Sequence, residues 1–315
     1  MRVLFLDTVH EHLASHLTRM DYECVDGSKL SREAVIQQIA GFEGVVIRSR
    51  IMMDKEVLEA AKNLRFIARA GAGMENIDVD HAKALGIQCF NAPEGNRDAV
   101  AEHAIGMLLT MFNRINTADI EVRKGLWLRE ENRGVELLGR TVGIIGYGNT
   151  GQAFAKRLAG FGVLMYAHDK YKKGFSDDLV IETNLESIYQ EAEVVSLHVP
   201  LTLETYHMIN DAFFEKLHYP IYLINTSRGA VVDTEALVRA IENGKVLGAC
   251  LDVLEYEKFN FEQIENEEIP AAFQYLIDSP KVILTPHVAG WTKESHAKIS
   301  HVLAEKIQLA YSEVH

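Results

Sequence analysis

The sequence predicts an α/β protein with two parallel-sheet domains, on three observations. Short β-branched runs alternate with helical stretches along all 315 residues. A chain of that length is longer than one hydrophobic core usually serves. A glycine-rich turn also sits between a strand and a helix in "TVGIIGYGNTGQAFAKRL". Strands that alternate with helices lie parallel and are covered by helices on their faces.

Up to residue 92 the predicted strands are "VLFLD", "GVVIRS", "RFIARA" and "IQCFN", with helices near 31–40, 54–61 and 78–85. The start, "MRVLFLDTVHEH", resembles a signal peptide for a few residues only. Asp7 breaks its apolar run and no small-residue cleavage site follows, so it reads as a first strand and the protein as cytoplasmic. From Asp98 to about Asn113, "DAVAEHAIGMLLTMFN" is apolar nearly all round. Such a helix is buried, between domains or in a subunit interface.

A second block gives six strands, "TVGIIGYG", "GVLMYAHD", "AEVVSLHVP", "IYLINTS", "VLGACLDV" and "KVILTP", which form a doubly wound sheet. One helix within it is delimited by Asp233 as N-cap and Gly244 as terminator. The tail, "TKESHAKISHVLAEKIQLAYSEV", is an amphipathic helix presenting Ile299, Val302, Leu303, the Lys306 stem, Ile307 and Ala310 on one face. Too short for a domain, it packs back on the first block. The expected division is therefore 1–97 and 291–315 around a central 98–290.

Composition narrows the function classes. The chain is 48% hydrophobic and 24% charged, as in ordinary soluble domains, and no apolar run approaches the roughly 20 residues that span a bilayer. A net charge of −13 argues against nucleic acid, whose phosphates such a surface repels, but leaves room for a small anion where arginines gather. Cys24, Cys89 and Cys250 are far apart and lack paired spacing, so they form neither a disulfide framework nor a metal signature.

In the glycine-rich turn, Gly146 permits the tight bend, Gly148 lets a pyrophosphate approach the backbone, and Gly151 lets helix and strand pack closely. Tyr147, Asn149 and Thr150 complete a turn whose helix N-terminus faces the phosphates. The next strand ends at Asp169, 18 residues past Gly151, where a carboxylate accepts hydrogen bonds from an adenosine ribose. Asp169 would repel a 2′-phosphate, which favours NAD over NADP. Lys170, Lys172 and Lys173 lie just beyond and read as a solvated charged turn.

With these residues in hand, "GIIGYGNTG", "VVSLHVPLT", "INTSRGAVVD", "LDVLEYE" and "LTPHVAGWT" together resemble the D-isomer-specific 2-hydroxyacid dehydrogenases over nearly the whole chain. Within that family, "VVIRSR", "FNAPEGNRDAVAEH" and "PHVAGWT" look most like D-3-phosphoglycerate dehydrogenases. The resemblance implies a Rossmann NAD domain, a discontinuous flavodoxin-like substrate domain, a substrate held in the cleft between them, and a homodimer. It also implies contacts to the cofactor by His198, Pro200, Thr202, Thr226, Asp252 and Gly290.

Oxidising a 2-hydroxy acid needs a hydride acceptor, a base for the hydroxyl proton and a cation for the carboxylate. Arg228, in "NTSRG" after a strand, suits the last: a guanidinium grips a carboxylate through two parallel hydrogen bonds. His287, after "KVILTP", matches the family acid/base, although for any one of the 13 histidines taken at random a plain loop residue is the favoured reading. Glu257 matches the glutamate that bonds the other ring nitrogen, with Glu255 its rival two residues away. Lys258 stands where the family has proline.

On the substrate side, Gly71, Ala72 and Gly73 form a turn whose N–H groups either cradle a carboxylate or simply join strand to helix. Arg48 and Arg50 alternate at an apparent strand end, facing one way as a phosphate would require. Asn96 matches an amide near the substrate in the phosphoglycerate enzymes. The leading expectation is oxidation of 3-phosphoglycerate. Reduction of hydroxypyruvate or glyoxylate, and a corepressor-like NAD sensor without turnover, stand as alternatives. Another Rossmann enzyme, such as a methyltransferase, fits the glycine spacing poorly.

Overall fold

Five parallel strands make the first sheet: β1 (Arg2–Phe5), β2 (Glu23–Asp26), β3 (Gly44–Ile47), β4 (Phe66–Arg69) and β5 (Gln88–Asn91), in the order β2-β1-β3-β4-β5. The computed structural model describes residues 1–257 and 269–311. Between the strands run α1 (Glu11–Arg19), α2 (Arg32–Gln38), α3 (Lys55–Ala60) and α4 (Val79–Ala84). Successive strand residues go to opposite faces. Leu4, Ile47 and Ile67 enter one apolar cluster, and Val3, Val46 and Phe66 the other. All four β3 residues are buried, as expected of a strand covered on both sides.

Sequence periodicity missed two of these elements. β2 is an edge strand of four residues that begins with Glu23 and ends with Asp26, and none of its residues is fully buried. Its apolar signal is correspondingly faint. α1 buries only Leu13 and Leu17, too few for a visible stripe.

α5 (Pro93–Phe112) carries the boundary between two compact units, Met1–Arg97 with Trp291–His315, and Asp98–Gly290. It begins five residues before the expected Asp98, because proline is at home in a helix's first turn. Its Ala101, Ala104, Ile105, Leu108 and Phe112 belong to a core cluster of the second unit. α6 (Ile115–Arg123), which the sequence did not suggest, follows it and buries no residue.

The second sheet is β6 (Thr141–Ile145), β7 (Leu164–His168), β8 (Ile181–Glu182), β9 (Val194–Leu197), β10 (Ile221–Asn225), β11 (Val246–Leu251) and β12 (Val282–Leu284). All strands are parallel, in the order β12-β11-β10-β9-β6-β7-β8. The expected six strands are present and the two-residue β8 is added. Around them lie α7 (Asn149–Leu158), α8 (Leu185–Glu191), α9 (Asp211–Lys216), α10 (Thr234–Glu242) and α11 (Ala271–Asp278). Asp233 caps α10 by accepting from the Ala236 N–H, and Gly244 follows it at φ +80°.

The chain ends in α12 (Lys293–Tyr311), which turns Ile299, Leu303 and Ile307 into the first unit's core. Ser300, Ala304 and Tyr311 share that buried side, whereas the expected Ala310 is exposed, so the buried face is rotated. Lys306 contributes its charge as well as its stem: Nζ bonds Glu94 at 2.9 and 3.0 Å and the Asn91 carbonyl at 2.9 Å.

Candidate active site

In a parallel sheet every strand ends on the same edge, so loops after adjacent strands become neighbours. Arg228 follows β10, Glu257 follows β11 and His287 follows β12, three consecutive strands of the second sheet. Two of the loops touch closely. A Cβ on Gly229 would lie 2.0 Å from the Leu254 carbonyl group, so only glycine lets the Arg228 loop rest on the loop after β11. Glu257 Oε2 accepts from His287 Nδ1 at 3.0 Å, with both side chains about a quarter exposed. The rival Glu255 turns elsewhere. Its Oε1 lies 2.6 Å from His207 Nε2 and its Oε2 accepts from the Thr234 N–H. Lys258 and the acidic stretch after it lie outside the described residues.

His287 itself has φ +56°, the left-handed region that a non-glycine residue adopts only when its surroundings impose it. Asp252 imposes it. Its backbone carbonyl accepts the His287 N–H at 2.7 Å. Its carboxylate, only 1% exposed, accepts the N–H groups of Val288 and Ala289 at 2.9 and 2.8 Å and the Thr285 hydroxyl at 2.5 Å. His103 Nε2 reaches the same hydroxyl at 3.0 Å. The expected cofactor contact Asp252 thus directs its carboxylate into the histidine loop. His103 and Thr285 were missed by sequence reasoning, and the only clue was that Thr285 lies two residues before His287.

Further along the sheet, after β6, Gly146 has φ +92°, and a Cβ there would lie 2.5 Å from the His198 carbonyl oxygen. A Cβ on Gly151 would meet the Gly146 carbonyl oxygen at 2.2 Å, whereas one on Gly148 would meet nothing within 4 Å. Gly148 caps α7 without a side-chain hydrogen bond, so the helix end with Asn149 and Thr150 presents its N–H groups beside open space. That is a fit to a pyrophosphate. The Tyr147 ring is stacked on Phe175 with centres 4.7 Å apart, and its backbone is engaged within the chain, its N–H by Asp169 and its carbonyl by Gln152 and Lys172.

Asp169 Oδ2 accepts from the Tyr147 N–H, and Oδ1 from those of Tyr171 and Lys172. Burial opposes its ionisation, but these bonds and the Lys172 charge prevail and hold the carboxyl below its ordinary range. The lysines beyond are engaged locally: Lys170 with Glu204 at 2.6 Å, Lys172 with the Tyr147 carbonyl at 3.1 Å, and Lys173 with the Asp169 carbonyl at 3.3 Å.

Between the histidine loop and the glycine turn, after β9 and β10, His198 Nδ1 and Thr226 Oγ1 are buried polar atoms with no hydrogen-bond partner among the described residues, which suits a bound polar ligand. Pro200 and Thr202 lie in the exposed loop beyond His198, tied by Thr205 Oγ1, which donates to the Pro200 carbonyl at 2.6 Å. Gly290 ends the unit just past Ala289.

His198 Nε2 meets Ser196 Oγ at 2.9 Å, and burial drives its pKa from 6.5 down to about 3. The folded protein therefore binds fewer protons here than the unfolded chain between those values. Stability is complete above pH 6.5 and is lost as pH falls towards 3, by about 1.4 kcal/mol per pH unit. His198→Asn should flatten this acid limb in urea unfolding followed from pH 7 to 4. An unchanged slope would remove His198 from the acid response.

In the first unit, Arg48, Gly71 and Asn96 follow β3, β4 and β5, again neighbours on one edge. Two expectations need correction. β3 stops at Ile47, so strand alternation does not aim Arg48 and Arg50 together. Arg50 donates to the carbonyls of Leu6, Gly27 and Leu30 at 2.5 to 3.2 Å, whereas the Arg48 guanidinium lies 3.8 Å from the Trp291 ring centre. In the glycine turn, the Gly71 N–H is taken by the Arg69 carbonyl at 2.8 Å, so a cradle would rest on Ala72 and Gly73. The Asn91 amide fixes that turn through the Ala72 carbonyl at 2.6 Å. Asn96, in the first turn of α5, keeps a buried Oδ1 without a hydrogen-bond partner among the described residues.

A nucleotide-binding crevice on a doubly wound sheet, with a histidine–carboxylate pair at the same edge, defines a dinucleotide-dependent enzyme class. Residues 105–289 match the family model described as D-isomer specific 2-hydroxyacid dehydrogenase, NAD binding domain. A hydroxypyruvate reductase of Thermotoga maritima is 37% identical over 90% of this chain and 89% of its own. A D-3-phosphoglycerate dehydrogenase of Archaeoglobus fulgidus is 35% identical over 98% of this chain, which spans only 56% of that relative's length. The crystal structure of a D-lactate dehydrogenase from Aquifex aeolicus, complexed with NAD and lactic acid, superposes with a TM-score of 0.83 at 28% identity, covering 99% of this chain and 96% of that one. The chain belongs to the D-isomer specific 2-hydroxyacid dehydrogenases, NAD-dependent oxidoreductases acting on the CH–OH group of 2-hydroxy acids. Among the described residues, no helix is long and apolar enough to cross a membrane.

Proposed function

We propose that this chain interconverts a short D-2-hydroxy acid and its 2-oxo acid. The observation that carries the proposal is the hydrogen bond from His287 Nδ1 to Glu257, one strand away from the Arg228 loop. With Nδ1–H held by the carboxylate, proton exchange with the substrate hydroxyl falls to Nε2. Arg228 grips the substrate carboxylate and polarises the neighbouring carbonyl. NAD, when bound, supplies the hydride acceptor, and the Gly146–Gly151 turn and Asp169 would hold its pyrophosphate and ribose.

The motifs favour 3-phosphoglycerate, but that reading leaned on paired arginines. Arg50 is engaged by three carbonyls, and this favours hydroxypyruvate or glyoxylate over the phosphorylated acid. The test is a panel of 3-phosphohydroxypyruvate, hydroxypyruvate, glyoxylate and pyruvate, with NADH and NADPH oxidation followed by absorbance. We expect the highest kcat/KM with an unphosphorylated acid and NADH. A clear preference for the phosphorylated acid would restore the first reading, and cofactor binding without any turnover would favour the sensor.

A homodimer built on the second unit is part of the same proposal. Large apolar side chains stand exposed on its surface, among them Ile115, Ile120, Leu126, Leu138 and Trp127, which is 75% exposed. Sedimentation should then give twice 35.3 kDa. A single-chain mass would refute the dimer.

A further inference from the structure

A second histidine–glutamate pair stands beside the first. Glu255 and Glu257 share one tight turn, closed by the Glu257 N–H donating to the Leu254 carbonyl at 3.2 Å. Glu257 points to His287. The Glu255 carboxylate is gripped from two sides: the His207 ring nitrogen Nε2 lies 2.6 Å from Oε1, and the Thr234 N–H donates to Oε2 at 3.0 Å. Thr234 is the first residue of α10, where a helix leaves its N–H groups unpaired and favours negative charge.

His207 is an anchored partner. It holds a left-handed φ of +49°, and its ring stacks on Tyr206 with centres 4.1 Å apart. Its N–H donates to the Ala230 carbonyl at 2.9 Å and its carbonyl accepts from the Asn210 amide at 2.8 Å. Ile209 then pairs with Val232 in a parallel bridge. The segment holding His207 is thus stitched to residues 230–232, directly after the Arg228 loop. Arg228 and Glu257 are therefore tied to the same small frame, once through Gly229 against Leu254 and once through His207–Glu255.

We propose that Glu255 is a positioning residue: clamped between His207 and the start of α10, it sets the turn that aims Glu257 at His287 Nδ1. The proposal rests on the function given above for its kinetic readout and on the structure alone for its spectroscopic one. Without the clamp the turn relaxes, Glu257 no longer holds Nδ1–H, and the histidine loses its single tautomer. A displacement of about 1 Å in such a group costs on the order of 10²-fold in rate.

Four variants test it: Glu255→Ala, Glu255→Gln, His207→Gln and, for its spectrum, Glu257→Ala. Each is assayed with glyoxylate, hydroxypyruvate and NADH, and its His287 side-chain nitrogen NMR shifts are recorded with the imidazole neutral. Glu255→Ala should lower kcat by roughly 10- to 10²-fold, leave the Kd for NADH within about twofold, and turn His287 from one tautomer into an average of two. Glu257→Ala should give the same spectral change. His207→Gln, whose amide still donates to the carboxylate, and Glu255→Gln, which still accepts, should recover most of the rate. A Glu255→Ala spectrum identical to that of the parent protein would overturn the proposal, whatever the rates. Loss of kcat with the tautomer kept would also overturn it. Should the parent protein turn over no 2-oxo acid, the functional reading falls while the spectra still decide this one. Should Glu255→Ala fail to fold, His207→Ala, which removes the clamp from the other side, carries the same comparison.

Discussion

His287→Ala is expected to lower turnover by about 10²–10⁴-fold, the usual worth of a positioned acid/base. Alanine removes the one imidazole among the described residues of the second unit that combines a carboxylate on Nδ1 with a place on the Arg228 edge of the sheet. The KM for NADH should change little, since the glycine turn lies after β6, on the far side of β9 and β10 from His287. Stopped-flow and steady-state assays on the best 2-oxo acid measure both constants. An undiminished kcat would take His287 out of the mechanism and the proposed function with it.

The second large effect is expected at Asp252, where alanine should damage stability and rate together. The half-buried Val288 N–H and the buried Ala289 N–H would lose their carboxylate acceptor, and the Thr285 hydroxyl would be left with His103 alone. Each orphaned group costs roughly 1–3 kcal/mol, and the strained backbone at His287 then has less to hold it. Asp252→Ala should therefore lower unfolding free energy by about 2–6 kcal/mol in urea, with kcat reduced on the order of 10²-fold in whatever folds. Asp252→Asn keeps the shape but turns a donor towards donors, so it should recover little of either. Wild-type stability in Asp252→Ala would show that the loop holds itself.

Much of this was legible in the chain. The strands of the second sheet announced themselves because a strand buried on both faces reads as an uninterrupted apolar run; Val194–Leu197 is buried throughout. The glycine turn was legible because backbone strain and close approach demand one residue type at fixed positions, as the φ of Gly146 and the contact at Gly151 illustrate. β2 and α1 were not, because an edge strand and a helix with two buried side chains leave too little periodic signal. Arg48 and Arg50 were misjudged for a related reason: the alternation rule holds only while the strand lasts, and β3 ends one residue before Arg48.

The local amino-acid pattern by itself determined the α/β alternation, the dinucleotide turn, the acid at the end of β7, and the presence of Arg228 and His287 just beyond strands. All of these are short-range consequences of burial and backbone sterics. What only the tertiary structure decided is which groups meet: Glu257 rather than Glu255 on His287, Asp252 turned inward to hold the histidine loop, and Arg50 engaged by backbone carbonyls. Those choices are made by hydrogen bonds between residues 20 to 44 positions apart. Their energy depends on where three adjacent strand ends bring their loops, and no window of sequence contains that information.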